Sequence, residues 1–227
     1  MGPFDQYRSN AYPYRFSGTL IVSTLVGGTP TDPKVAEGWL KSKLGIDNDR
    51  LIQEKVAETM IERGVSADEA VKEVNAHKNL NGFKRDQEHG LYIEGRQLKA
   101  ALKEAVNVAY SVGKLLNSKG KNSWGLTSKG IHGFAAEHII VPEDRLYLGV
   151  HEASGINQRF VSTFRGTGIQ YEEFVTDAKI DFSVHSDYEF TEQNWAMIWL
   201  TGQEQGIGSS RSQGYGKYQV TRWEQEK

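Results

Sequence analysis

Residues 206–218, GIGSSRSQGYGKY, give the strongest indication of the fold. The stretch follows a predicted amphipathic helix over residues 192–200 and leads into a predicted final strand over residues 217–223. Its four glycines let backbone N–H groups approach a phosphate closely and adopt a positive φ without strain. Arg211 offers a bidentate donor, the serine hydroxyls add further donors, and Tyr215 or Tyr218 could stack on a base. The stretch therefore predicts contact with a nucleic-acid strand, with a ligand-free glycine-rich hairpin as the alternative.

Two familiar phosphate-binding motifs do not fit this stretch. A dinucleotide-binding glycine loop follows a strand and opens a helix, whereas this stretch follows a helix and opens a strand. The GxxxxGK[ST] pattern of a Walker loop is also missing. Nucleotide-binding folds of these two kinds are therefore not indicated.

The rest of the chain predicts a mixed α+β domain. A half-buried strand is predicted over residues 14–26, with Gly18 as a bulge, and an amphipathic helix over residues 96–116. Further strands are predicted over residues 135–141, 145–150, 158–165 and 179–184. The order is close to β-α-β-β-α-β, the arrangement of a ferredoxin-like (RRM-like) antiparallel sheet. We read residues 1–227 as a single domain and the charged, helix-patterned residues 33–84 as a helical insertion after the first strand.

Composition narrows the functional classes. The formal net charge of −2 argues against a broadly basic nucleic-acid coat but allows a local basic groove. The chain has no cysteine, which excludes disulfides, thiolate nucleophiles and sulfur-ligated zinc. No apolar run has the length of a signal peptide core or a membrane span, so we expect a cytoplasmic protein without a membrane partner.

The arrangement of residues 206–223 closely resembles the C-terminal glycine-rich loop of the RAMP superfamily of CRISPR-associated proteins. The shared order is a helix, GxG, an arginine–serine segment, GYGK and a C-terminal strand. Upstream, YIEGRQLKAALK at residues 92–103 is similar to the family's IPGSSLKGALR segment at the start of the first core helix. Lys99 matches, but Glu94 stands where proline is usual and Ala100 where glycine is usual. Arg96 and Gln97 replace the serine pair.

The resemblance implies a guide-RNA-binding backbone subunit of a CRISPR-type ribonucleoprotein effector complex. Its partners would be single-stranded RNA, copies of itself and other effector subunits, with little RNA sequence preference. Three residues of the helix would then contact RNA: Arg96, Gln97 and Lys99. In the loop the contacts would be Gly206, Gly208, Arg211, Gly214, Gly216 and Lys217. Two arginines of a mid-chain segment, Arg159 and Arg165, would add to them. For each basic residue the competing interpretation is an ordinary surface charge.

Whether the chain is an enzyme stays open at this stage, and a binding subunit is favoured. Asp32, after the first strand, matches the place of a catalytic aspartate in some relatives, but ahead of Pro33 it is also a good helix N-cap. His132 and His138 are candidate general bases for an endoribonuclease. We expect no cofactor and no metal site, with Mg²⁺ required only by a nuclease. A third alternative is an assembly protein that keeps the fold without binding RNA.

Overall fold

A computed structural model describes residues 8–30, 80–111, 138–163 and 166–226, with residues 57, 60, 61, 64 and 66 as isolated positions. The helices are α1 (Arg8–Ala11), α2 (Gly95–Ser111) and α3 (Glu192–Gln205), and a short 3₁₀ turn spans Arg211–Gln213. The strands are β1 (Tyr14–Val26), β2 (Thr29–Pro30), β3 (Leu80–Gly82), β4 (Lys84–Asp86), β5 (Gly90–Glu94), β6 (Ile139–Ile140), β7 (Arg145–Tyr147), β8 (Gly155–Thr163), β9 (Gly166–Ser186) and β10 (Tyr218–Gln225).

The described residues fall into two compact units. The first comprises residues 8–25, 85–111, 138–152 and 175–226. The second comprises residues 26–30, 80–84, 153–163 and 166–174. Both the glycine-rich stretch and the helix that begins at Gly95 belong to the first unit, so that unit contains both family-like motifs.

The sheet of the first unit confirms the predicted α+β, ferredoxin-like class. Its strand order is β10-β1-β9, and β6 also pairs with β9. β10 runs antiparallel to β1 and β6 runs antiparallel to β9. Along the chain these strands alternate with α2 and α3 in the order β1, α2, β6, β9, α3, β10, which is β-α-β-β-α-β. A register irregularity lies between Thr19 and Leu20, one residue beyond the bulge predicted at Gly18.

Helices α2 and α3 pack against each other through small and apolar residues. In α2 the buried side chains recur at helical spacing, from Leu98 through Leu102 and Ala105 to Ala109. In α3 the Thr191 hydroxyl accepts the N–H of Asn194 and caps the first turn. A cluster of aromatic rings fills the core of this unit, with Phe16 and Trp223 stacked at 4.8 Å between centroids. The other rings of the cluster are Phe182, Phe190, Trp195 and Trp199.

A smaller three-stranded sheet has the order β4-β5-β7. β5 and β7 are antiparallel, with Tyr92 opposite Tyr147 and Glu94 opposite Arg145. Side chains alternate between the two faces of a strand, and the intervening residues Ile93 and Leu146 are buried. The tyrosines and Arg145 therefore lie on the face that is turned away from the core.

In the second unit β8 and the first half of β9 form a long antiparallel hairpin, from Gly155 opposite Phe174 to Thr163 opposite Gly166. β3 is parallel to β9, and β2 is antiparallel to β3. Large apolar side chains of the hairpin are exposed at Ile156, Phe160 and Ile169, among the side chains that the structure describes. Phe160 is 74% exposed.

The sequence-based boundaries of several elements differ from those observed. The strands predicted over residues 158–165 and 179–184 correspond to β8 and to a single 21-residue strand, β9. The helices predicted within residues 33–84 lie largely outside the described residues, as do residues 112–116 of the predicted long helix. In the part of the chain that the structure describes, none of the helices has the length and apolar character needed to cross a bilayer.

Candidate nucleic-acid interface

The glycine-rich stretch forms a closed loop held by backbone hydrogen bonds. Helix α3 ends where Gly206, at φ +77°, donates its N–H to the carbonyl of Gly202. The N–H of Ile207 then donates to the carbonyl of Gly216 at 2.9 Å, and the N–H of Gly216 donates to Thr24 of β1 at 2.8 Å. Ile207 is only 1% exposed and anchors the loop in the core. The two ends of the loop are therefore fixed to each other and to the sheet.

The loop glycines have two different roles. A Cβ on Gly216, at φ +78°, would overlap the carbonyl oxygen of Ile207, and one on Gly206 would lie 2.9 Å from the carbonyl carbon of Gly216. These two glycines permit a close approach of two backbone segments. Gly214 also has a positive φ, +89°, but a Cβ there would meet nothing within 4 Å. Gly208 has φ +86°.

The middle of the loop presents backbone donors. The Arg211–Gln213 turn begins after Ser210, at φ +57°, and the N–H of Gly214 closes it on the carbonyl of Arg211. Within the described part of the chain, the N–H groups of Gly208 and Ser209 donate no hydrogen bond. Backbone N–H groups of this kind, next to residues of positive φ, are suited to anion binding.

Arg211 extends from the loop to helix α2. Its Nη1 donates to Oε2 of Glu104 at 2.5 Å, and both side chains are about one-third to two-fifths exposed. This ion pair connects the loop with the helix that carries the second family-like motif. Because it is a partly exposed pair, it adds little to folding stability, on the order of 0–1 kcal/mol.

Lys217 is also paired with a glutamate. Its Nζ lies 2.6 Å from Oε2 of Glu204, in the last turn of α3, and both side chains are exposed. An open groove of about 400 Å³ lies against this pair. Ile21 and Tyr218 form the apolar part of its lining. The other lining residues are polar: Ser23, Asp177, Gln203, Glu204, Lys217 and Gln219. The groove is within the size range of small-ligand sites.

The start of α2 carries the other predicted contacts. Gly95 begins the helix, and a Cβ there would overlap the carbonyl oxygen of Glu143. Arg96 is exposed and pairs with Glu94 at 2.5 Å. Lys99 is half-buried and makes no ion pair with the described residues. The Oε1 atom of Gln97 is buried and has no hydrogen-bond partner among the residues that the structure describes.

Of the two mid-chain arginines predicted to contact RNA, the structure describes only Arg159. Arg159, on the hairpin of the second unit, donates from Nη2 to Gln170 at 3.0 Å and to Glu172 at 3.1 Å. Glu172 is fully buried, so this arginine is engaged with a buried carboxyl group of its own hairpin. Arg165 lies outside the described residues. Contact of either arginine with RNA stays a prediction.

The candidate catalytic residues are only partly described. Asp32 and His132 lie outside the described residues. The Nδ1 atom of His138 lies 2.7 Å from Oδ1 of Asp187, and both side chains are about one-third exposed. A carboxylate at this distance fixes the orientation of an imidazole. Among the described residues, no three His, Asp or Glu side chains come together as a metal site would require.

Two acidic partners of the loop cations carry no local sequence signal, and one tyrosine predicted to stack on a base is buried. Glu104 and Glu204 neutralise the loop cations, and Glu104 is 107 positions away from Arg211. Tyr218 was considered as a base-stacking residue, but it is 4% exposed and points against Gly202 of α3. That prediction was wrong, because burial has made Tyr218 part of the core and raises the pKa of its hydroxyl. Tyr215 remains half-buried in the loop.

The chain has a structural neighbour among solved proteins but no match by sequence. No family model matches the chain, and no curated protein matches its sequence. Among solved structures, the chain resembles one in the cryo-EM structure of the Type III-B Cmr-beta bound to cognate target RNA. The TM-score is 0.51 at 9% sequence identity, over 98% of this chain and 63% of that one. This likeness shows the fold. The chain spans less than two-thirds of the length of that neighbour.

Proposed function

We propose that the protein binds single-stranded guide RNA through the glycine-rich loop and the start of α2, as a backbone subunit of a CRISPR-type ribonucleoprotein. The observation that carries the proposal is the closed loop, which holds Arg211 beside α2 and Lys217 beside an open groove. Phosphates would take donors from Arg211, Lys217 and the N–H groups of Gly208 and Ser209. The fold likeness to a chain of Cmr-beta bound to RNA supports the proposal by analogy.

Two glutamates would compete with the RNA in this proposal. Glu104 and Glu204 occupy the cations that phosphates would bind. Since exposed ion pairs are weak and screened by salt, a polyanion can displace the carboxylates. The two acids would then set how strongly RNA binds, and the overall charge of −2 would be compatible with binding.

Replacing both carboxylates with amides is expected to strengthen RNA binding. Glu104→Gln with Glu204→Gln removes two negative charges next to the phosphate path, and we expect an affinity gain of roughly five- to tenfold at low salt. Fluorescence anisotropy with a labelled single-stranded RNA measures the change. The matched control removes two charges elsewhere, by Asp181→Asn with Glu224→Gln, two exposed acids next to Arg222 of β10. An equal gain from the control would mean that only the net charge matters.

The direct test of the proposal is binding of labelled single-stranded RNA by the wild-type chain across a salt series. We expect affinity that falls steeply with salt, by a slope of about 0.7 per neutralised phosphate on a single strand. Sequence should matter little, because the contacts are to the backbone. If RNA is not bound even at low salt, the protein has the fold without the function, as in an assembly protein.

An endoribonuclease is a second candidate function, favoured by the His138–Asp187 pair. An imidazole oriented by a carboxylate is the arrangement of a general base, and such a base could activate a ribose 2′-hydroxyl without a metal. Cleavage products that persist in EDTA and are lost in His138→Ala would support this candidate. Products that require Mg²⁺ and are lost in Asp32→Ala would point to Asp32 instead.

A protein partner is proposed from the hairpin of the second unit. Ile156, Phe160 and Ile169 are exposed, and the register places Phe160 directly opposite Ile169. Exposed apolar side chains that are grouped in this way are typical of interaction surfaces. They support association with another copy of the chain or with another effector subunit.

A further inference from the structure

The outward face of the three-stranded sheet β4-β5-β7 carries an aromatic cluster that the proposed RNA site does not use. Arg145 lies with its Cζ 5.0 Å from the centre of the Tyr92 ring. Tyr92 and Tyr147 are 5.8 Å apart in an edge-to-face arrangement, and the His89 ring lies 4.8 Å from Tyr147. The cluster is thus a row of a guanidinium, two phenol rings and an imidazole, each in contact with the next.

Asp86 holds both ends of this row. Its Oδ2 accepts from Nη1 of Arg145 at 2.6 Å, and its Oδ1 accepts the backbone N–H groups of Glu88 and His89 at 3.0 Å each. Oδ1 also lies 3.3 Å from the imidazole Nδ1 of His89. The backbone donors, that of His89 first, lower the pKa of Asp86, so the carboxylate stays ionised at neutral pH. The row is therefore fixed in place before any ligand arrives.

The row is open to solvent, and its charges are already balanced. Arg145 is 49% and His89 52% exposed, and the two tyrosines are half-buried. Arg145 is neutralised by Asp86, and the neighbouring Arg96 by Glu94. Besides these paired charges, the row offers flat π faces next to a guanidinium. Its chemistry fits a planar, uncharged ring.

We propose that this cluster is a base-stacking platform, on which a nucleobase of single-stranded RNA packs against Tyr147 and Tyr92 beside the Arg145 guanidinium. The inference rests on the proposed RNA-binding function and adds a contact that is made to bases and not to phosphates. The cluster adjoins the start of α2, which belongs to the proposed RNA site, and this position supports RNA as the ligand. Glu94, the register partner of Arg145, holds Arg96 at the start of α2. Stacking of bases on exposed aromatic rings is the usual way in which proteins hold single strands without reading their sequence.

The experiment compares Tyr147→Leu, Tyr147→Phe and wild type for binding to two strands. One strand is oligouridine, and the other has the same length and backbone with an abasic segment at its centre. The matched control is Tyr110→Leu, which removes a half-buried tyrosine near the other end of α2. Thermal unfolding of each variant confirms that it is folded, and Tyr92→Leu replaces Tyr147→Leu if that variant does not fold.

We expect Tyr147→Leu to bind oligouridine about five- to 150-fold more weakly, as loss of one stacked base predicts, with an unchanged salt slope. Tyr147→Phe should bind like wild type, and the loss should shrink on the abasic strand. Salt-sensitive RNA binding that Tyr147→Leu leaves intact would overturn the platform but not the RNA-binding function. An equal loss on both strands would also overturn it.

If wild type binds no RNA, both proposals fail. Binding of a proline-rich peptide that is lost in Tyr147→Leu, with RNA binding intact, would assign the surface to a protein partner.

Discussion

Gly216→Ala is expected to destabilise the protein by about 2–5 kcal/mol, whereas Gly214→Ala, two residues earlier, should cost only about 1–2 kcal/mol. Both residues have a positive φ, so both substitutions strain the backbone. Only at Gly216 does the new Cβ also collide with a backbone atom, the carbonyl oxygen of Ile207. That oxygen cannot move away easily, because Ile207 is buried and its own N–H is bound to Gly216.

Urea unfolding followed by tryptophan fluorescence measures the difference, because Trp195 and Trp199 lie in the core of the same unit. Gly214→Ala is the internal control for the strain of a positive φ. Equal costs for the two variants would contradict the loop geometry described here. A Gly216→Ala variant that folds normally but no longer binds RNA would show that the loop tolerates the change by rearranging.

Arg211→Ala together with Lys217→Ala is expected to weaken binding of single-stranded RNA by roughly 100-fold at low salt, about tenfold for each charge-assisted contact. The slope of log affinity against log salt should fall by about 1.4, since each neutralised phosphate on a single strand contributes about 0.7. The loss of RNA affinity is enlarged by Glu104 and Glu204, because the double variant removes the cations that pair with them and leaves two negative charges near the phosphates.

Arg222→Ala is the matched control for this double variant. Arg222 is an exposed arginine of β10 that is also ion-paired, with Asp181 and Glu224, but it lies outside the loop. We expect its loss to change affinity and slope by much less than the double variant. If Arg222→Ala lowers log affinity and slope by half as much as the double variant, the effect per removed charge is equal, RNA is attracted by general surface charge and the loop has no special role.

Features of the fold that depend on neighbouring residues were predictable from the sequence. The bounds of β1 follow from its alternating apolar residues, and the beginning of α3 follows from the Thr191 cap and the aromatic spacing after it. The family-like order of helix, glycine-rich loop and strand gave the right α+β class. Each of these signals depends on residues within one element or one turn.

The contacts that define the site were not predictable, because they join residues distant in sequence. Arg211 and Glu104 are 107 positions apart, and His138 and Asp187 are 49 apart. Ile207, between two glycines, has the sequence context of an exposed loop residue, yet the hydrogen bonds that close the loop bury it. The stacking row of Arg145, Tyr92 and Tyr147 likewise arises from strand register, which alternation alone does not fix across a long connection.

The place where RNA lies on the protein can be found by photo-crosslinking 4-thiouridine-substituted single-stranded RNA to the intact chain and identifying the crosslinked peptides. We expect crosslinks to peptides that contain residues 206–217 and residues 96–99, with both sets lost in the Arg211→Ala, Lys217→Ala variant. Crosslinks confined to other parts of the chain, unchanged in that variant, would contradict the assignment of the glycine-rich loop as the RNA site.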